Sequence, residues 1–224
     1  MGQCLLVRRG GGVPNPYPTY TYTGQHTLVD QGNGNWLITL KTSGTIHFSE
    51  INVPVDIFLV GGGAGSGLLL GAGGGYTTTA RGQQINANQS YACTIGAGTG
   101  HSRAGSSMAF SLTAEGGYPP SDPKAGNGGS GGGAFGQRGA VDGASSPNGT
   151  YNTVGGIGQG RTTRAFGESW GTLYSSGGDG HNAWVSGYRD GAPNTGNGGA
   201  AIVQHSGEPA NTGGSGIILI RNKR

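Results

Sequence analysis

The sequence predicts an all-β protein carrying a large glycine-rich insertion. Three observations support that prediction. Short apolar runs with a period of two recur through the first half of the chain. No stretch carries three turns of amphipathic helical periodicity. Gly makes up 52 of 224 residues, about three times the usual share, and is concentrated beyond residue 60. With 10% charged and 33% hydrophobic residues, such a composition is common in linkers. The strict Gly-X-Y period of collagen is absent.

Residues 1–12 are a short apolar-basic segment closed by a glycine hinge. Residues 13–24, with Pro14, Pro16 and Pro18, read as an extended connector. After the Asn33-Gly34 turn signal, Trp36, Ile38 and Leu40 alternate with Leu37, Thr39 and Lys41, the pattern of a half-buried strand. Ser43-Gly44 turns the chain into a run in which Ile46 and Phe48 share a face. Val55–Val60 is almost continuously apolar, as in a central strand covered on both faces. Strands are also expected at 76–81, at 90–95 with Tyr91, Cys93 and Ile95 on one face, and at 107–113 with Met108, Phe110 and Leu112 on one face. The terminal Gly216–Arg221 is a second buried-type strand, expected to share a sheet with Val55–Val60.

Ordering glycine costs more backbone entropy than ordering any other residue, so the runs at 61–67, 71–75, 126–133, 155–160, 177–180, 196–199 and 213–216 are either mobile or strongly paired. An ordered solution is the polyproline-II helix, with about three residues per turn. Several such helices lacking Cβ atoms can pack side by side and bond through their amides. The resumption of strands afterwards and the interspersed aromatics favour the packed alternative over a flexible linker.

Several chemistries are excluded or weakened. A sequence pI near 9.0 invites a nucleic-acid reading, but Arg8, Arg9, Arg221, Lys223 and Arg224 place much of the positive charge at the termini. The intervening chain holds more carboxylates than cations, so no phosphate-tracking cluster exists. VDIFLVGGGAGSG imitates a dinucleotide loop, yet Ser66 stands where the third glycine belongs and no helix follows. No Gly-Lys dipeptide exists for a P-loop. The G-x-S-x-G match around Ser130 lies inside a glycine tract without a strand–turn–helix setting. His26, His47, His101, His181 and His205 lack metal-ligand spacing, and no cofactor is implied. A glycosidase would need two carboxylates at fixed separation, which the spacing does not indicate. Cys4 and Cys93 are too few for a disulfide framework. Cys4–Val7 is too short for a signal peptide, and Leu6 stands where N-myristoylation needs Ser or Thr. No run is long enough for membrane insertion.

One region stands out as a recognition surface. Residues 150–190 combine Tyr151, Phe166, Trp170, Tyr174, Trp184 and Tyr188 with Arg161, Arg164, His181 and Arg189. Rigid rings and Arg on glycine-supported loops offer contact area at low entropic cost. Phe166 and Trp170 are read as packing. Tyr174, His181, Trp184, Tyr188 and Arg189 are the candidate binding residues.

The ordered series SGTIHFSEINVPVDIFLVGGGAGSG, GGGYTTT, SYACTIGAG, SSMAFSLTAEGG, GQGRTTRAFGESWGTLYSSGGDG and GGSGIILIR resembles the glycine-rich domain of phage and prophage tail-fibre proteins, over roughly residues 35–221. The resemblance implies a jelly-roll-like β-sandwich (25–115 plus 213–224) with an inserted region (116–212) packed as polyglycine-II helices. Residues 1–24 would be the attachment or oligomerisation segment. It further implies a non-catalytic virion tail protein, made in the host cytoplasm without a signal peptide. Distal loops would bind a bacterial surface glycan or outer protein, and the N-terminus would join other tail proteins, with a trimer the favoured homo-oligomer. Residues 181–195 and 200–212 interrupt the tracts with polar and aromatic residues, unlike the purest members. The alternative is a structural fibre or decoration protein without a receptor site.

Overall fold

The computed structural model describes residues 2–3, 16–121, 124–133, 163–180, 189–202 and 211–222. Its strands are β1 (Gly2–Gln3), β2 (Thr19–Tyr22), β3 (His26–Gly32), β4 (Asn35–Leu40), β5 (Gly44–Glu50), β6 (Val55–Val60), β7 (Thr77–Gln83), β8 (Gln89–Cys93), β9 (Ser107–Ala109), β10 (Leu112–Ala114) and β11 (Ile217–Asn222). They pair antiparallel into a four-stranded sheet, β1-β2-β5-β8, a five-stranded sheet, β3-β4-β11-β6-β7, and the β9-β10 hairpin. The only helical turn among the described residues is a 3-10 turn at Ala165–Gly167.

The two large sheets pack face to face over one core. Tyr20, Tyr22, Ile46, Phe48 and Cys93 of the first sheet meet Trp36, Ile38, Leu40, Ile57, Leu59, Ile218 and Ile220 of the second. Period-two alternation in β4 and β5 aims one side of each strand into that core. All six residues of β6 are buried, and the reason is visible on its other face. Phe58 and Val60 point outward beside their cross-strand partners Leu219 and Ile217, where Ala165 and Phe166 cover this face. The continuous apolar run of Val55–Val60 thus reflects burial on two sides. As the sequence predicts, β6 and the terminal strand share a sheet: β11 sits between β4 and β6, with Ile220 opposite both Ile38 and Ile57.

Two local expectations need correction, and one strand was not anticipated. Thr19–Tyr22, read as connector, is strand β2, and Tyr17, Tyr20 and Tyr22 belong to the core. The prolines conceal a TYTY alternation that puts two rings on one face. His26–Gly32 forms the edge strand β3, which its mixed polar sequence does not announce. Residues 107–113 form a hairpin rather than one strand, with Phe110 and Ser111 both at positive φ (51° and 62°) in the turn. The inward face is therefore Ser107, Ala109 and Ala114, while Met108 is exposed. Small residues face inward here because the backbone of β6 is close. Ser107 Oγ donates to the Val60 carbonyl at 2.6 Å and accepts the Gly96 N–H at 2.9 Å.

Glycine segments leave the sheets at the end marked by Val60, Thr77, Cys93 and Ile217. They bond laterally to one another in a regular order. The N–H groups of Gly71, Ala72, Gly73, Gly74, Gly75 and Tyr76 donate in turn to the carbonyls of Gly133, Gly199, Tyr118, Ser130, Gly196 and Glu115, at 2.8–3.1 Å. Residues three apart therefore address the same neighbouring segment. The same step of three recurs elsewhere. Gly61 and Ala64 donate to Tyr76 and Gly73, Gly63 and Ser66 to Gly214 and Asn211, and Gly198 and Ala201 to Ser176 and Asp179. The segments lie backbone against backbone: a Cβ on Gly63 would fall inside the Asn197 carbonyl, and one on Gly73 inside that of Asn127. Only glycine permits such an approach.

Candidate functional site

The outward run 61–67 and the returning run 71–76 are joined by Leu68, Leu69 and Leu70, a turn at the end of the glycine segments away from the sheets. Leu70 is buried against Ala125. Leu69 takes a positive φ of 61°, uncommon for a non-glycine residue. Leu68 is 51% exposed, one of the few large apolar side chains facing solvent among the described residues. Leu68 forms a parallel bridge with Ile202. The Ile202 N–H donates to the Gly67 carbonyl, and the Leu69 N–H to that of Ile202, both at 3.3 Å.

Charge adjoins this apolar turn. The Asp179 carbonyl accepts the Ala201 N–H at 2.7 Å, and the Arg189 carbonyl accepts that of Ala200 at 3.0 Å. This places both residues beside the Ile202 strip. Their side chains form an exposed ion pair at 3.7 Å, which contributes little to stability and leaves most of the guanidinium open to solvent. Asp190 fixes the adjoining backbone by accepting the Thr212 N–H at 2.6 Å. Leu68, Ile202, Asp179 and Arg189 thus form one mixed surface on a backbone held by lateral hydrogen bonds.

The opposite end of the five-stranded sheet is tied through Trp36. Its indole N–H donates to the Pro16 carbonyl at 2.6 Å, and its backbone N–H to Asn222 Oδ1 at 2.8 Å. The first and last long described segments therefore meet at the end remote from Leu68.

The sequence-predicted site residues do not form one cluster. Arg189 belongs to the distal surface. Tyr174 lies on the outer face of the five-stranded sheet, its ring 5.7 Å from that of Phe58, and burial raises its phenol pKa. Its hydrophobic face is engaged in packing. His181, Trp184 and Tyr188 lie outside the described residues, in the chain joining Gly180 to Arg189. Phe166 is packed as expected, 3% exposed and 5.9 Å from the Phe58 ring. Trp170, expected in the core, is 78% exposed. It sits in the bend of a small hairpin held by Ala165 N–H to Thr172 and Tyr174 N–H to Thr163. Phe166, on the sheet side of that hairpin, takes the packing role. Leu68, Leu69 and Ile202 escaped the sequence reading. For the two leucines the signal was a run of three leucines inside a glycine tract; Ile202 carried none.

Below Phe166 lies a buried charge cluster. Arg221 donates to both oxygens of Glu168 at 2.8 Å and to Asp56 at 3.2 Å, and its guanidinium stacks on the Phe166 ring at 3.8 Å. Burial alone would lower the Arg221 pKa, but the bonds and charges of Glu168 and Asp56 leave it raised. Arg81 approaches Asp56 at 4.0 Å and donates to the Phe166 carbonyl. These two carboxylates are engaged by arginines beneath an aromatic ring, an arrangement suited to docking the inserted chain rather than to proton transfer. Among the described residues, no group of three His, Cys, Asp or Glu side chains could hold a metal ion, and no helix is long and apolar enough to cross a membrane. Ser130 of the G-x-S-x-G match is fully buried, without a base beside it among the described residues. Neither a protein-family model nor a curated protein matches the chain.

Proposed function

We propose that this chain is a non-catalytic phage tail-fibre or tail-tip protein that binds a host cell-surface receptor through the distal surface around Leu68 and Arg189. The observation that carries the reading is the step of three in the lateral hydrogen bonds of residues 71–76. A strand would alternate its donors with a period of two, whereas a three-residue turn sends every third N–H to the same neighbour. That pattern supports polyglycine-II helices packed as a bundle. The two-sheet body, completed by a strand from the far end of the chain, is read as a jelly-roll-like sandwich from which the bundle projects.

A rigid bundle gives distal loops a fixed presentation, which reduces the ordering cost of binding. Leu68 supplies apolar area and Arg189 a planar donor. Trp184 and Tyr188 lie in sequence between Gly180 and Arg189 and stay candidate binding residues from the sequence reading. The body's other end, where Trp36 holds Pro16 and Asn222, is the side for attachment to other tail proteins through residues 1–24.

The test is binding of fluorescently labelled protein to a panel of bacterial cells. Leu68→Ser combined with Arg189→Glu should weaken binding to responsive cells more than about tenfold, the scale of losing a central anchor. Trp170→Ala, on the flank of the body, should leave it unchanged. If the distal variant binds as the parent does, or if no cells bind either protein, the spacer or decoration reading stands instead.

A further inference from the structure

We propose that the cleft between the end of β7, the start of β8 and the β9–β10 turn is a binding site for an uncharged oligosaccharide. The cleft has a volume of about 460 Å³ and is lined by Gln83, Gln84, Asn86, Gln89, Tyr91 and Phe110, with Ile85 and small neutral residues between them. Gln83 lies opposite Val55, and Gln89 opposite Phe48. Both positions are at the ends of their strands remote from the glycine segments. The cleft is therefore separate from the distal surface and does not depend on the reading given to it.

The chemistry of the lining selects the ligand class. No charged side chain lines the cleft. A phosphate, a nucleic acid or an acidic glycan would lose hydration there without gaining a cation. Four side-chain amides offer donors and acceptors in equal measure. Sugar hydroxyls, which both donate and accept, match that mixture. A purely apolar ligand would leave the amides without partners.

The aromatic wall is held in place from two directions. The Tyr91 and Phe110 rings are 4.9 Å apart at 44° and half-buried against the core, a tilted aromatic pair of the kind against which the C–H side of a pyranose ring packs. The Tyr91 hydroxyl accepts the Asn86 N–H at 3.1 Å and donates to Gln89 Oε1, also at 3.1 Å. The Asn86 N–H in that pair is the backbone amide, and the Asn86 side chain is held separately, its Nδ2 donating to Gln89 Oε1 at 3.4 Å, so Gln89 is oriented from both sides. Phe110 and Ser111 both take left-handed backbone angles. A two-residue hairpin of this kind ordinarily uses Asn-Gly, whereas Phe110 here also packs its ring against the edge of the core. Placing a phenyl ring at the strained position sets it against Tyr91 at the cleft wall, and strain of this sort concentrates at binding sites. Among the described residues nothing else bonds the Gln84 amide or the Gln89 NH2 group, so both remain open to a ligand.

The experiment is saturation-transfer NMR and calorimetric titration of the full chain with cellotriose, maltotriose, mannotriose and tri-N-acetylchitotriose, with trigalacturonate as the anionic comparison. At least one neutral trisaccharide should receive saturation, and trigalacturonate should not. Gln84→Ala and Gln89→Ala, both at exposed positions, should each weaken that sugar about tenfold, the scale of one lost neutral hydrogen bond. Phe110→Asn preserves the left-handed turn but removes the ring, and should abolish binding while the variant stays folded, its unfolding midpoint lowered because Phe110 also packs against the core. Leu68→Ser with Arg189→Glu should leave the titration unchanged, so failure here is distinguishable from failure of the distal-surface reading. Saturation of none of the four neutral sugars, preference for trigalacturonate, or unaltered affinity in Gln84→Ala and Phe110→Asn would each overturn the proposal.

Discussion

Arg221 in the last strand grips Glu168 of the inserted chain with two hydrogen bonds, Nη1 to Oε2 and Nη2 to Oε1, each 2.8 Å long. The pair is almost wholly buried, with side chains 12% and 9% exposed, and Asp56 and the Phe166 ring complete it. It fixes residues 163–174 onto the outer face of the five-stranded sheet. Glu168→Ala leaves a buried guanidinium with half its partners and should cost about 3 kcal/mol, read as a shift of the urea unfolding midpoint. The loss should be nearly independent of salt, because screening acts weakly on buried pairs.

The glycine contacts make a positional prediction. A Cβ at Gly128 would fall inside the Gly74 carbonyl, whereas one at Gly100 meets nothing within 4 Å. Gly128→Ala should therefore destabilise by about 1–3 kcal/mol, as overpacking does. Gly100→Ala should stay within about 0.5 kcal/mol of the parent. Equal melting temperatures for the two variants would contradict the packing described for residues 126–133.

Trp36 and Trp170 should behave oppositely. Trp36 has no exposed surface and uses both its N–H groups, so Trp36→Ala should cost about 3–5 kcal/mol. Trp170 is 78% exposed, and Trp170→Ala should cost less than about 1 kcal/mol. Denaturant titrations of the two variants check this.

Cys93 adds a pH dependence. Burial pushes its thiol up from 9.0 to about 12. A raised pKa means the folded state holds its proton longer than the unfolded chain does. The contribution is complete below pH 9 and is lost as pH rises from there through about 12. Stability should fall by about 1.4 kcal/mol per pH unit for this one proton within that window. Cys93→Ala should reduce the slope between pH 9 and 10, leaving the share that the buried tyrosines Tyr22 and Tyr174 contribute. An unchanged slope in the variant would place the thiol in contact with solvent.

Legibility from sequence followed the range of the interactions. β4, β5, β6, β8 and β11 are written in local alternation or in continuous apolar runs, and the pairing of β6 with β11 followed from their shared character. β2 was obscured because Pro14, Pro16 and Pro18 suggested a connector just where Tyr20 and Tyr22 begin to alternate. The β9–β10 turn was missed because Phe110-Ser111 is not the dipeptide that left-handed turns favour. The Arg221 cluster joins residues 53 and 165 positions apart, which no periodicity can register. The contrast between Phe166 and Trp170 has the same cause: a hairpin bend decides which ring faces the sheet. The Leu68–Leu70 turn was visible as a leucine run, but only the geometry of 61–76 gives it a place.

The central claim is that residues 61–76 belong to a laterally bonded bundle rather than a mobile linker, since a fixed distal surface depends on it. Native-state hydrogen exchange of the amides of residues 71–76, measured one by one by NMR, tests this most directly. Each of those N–H groups has a carbonyl partner in another segment. All six should therefore exchange slowly and with similar protection, approaching that of Phe58 and Leu59 in β6. Exchange at the rate of an unstructured peptide, or protection of alternate residues only, would contradict the account.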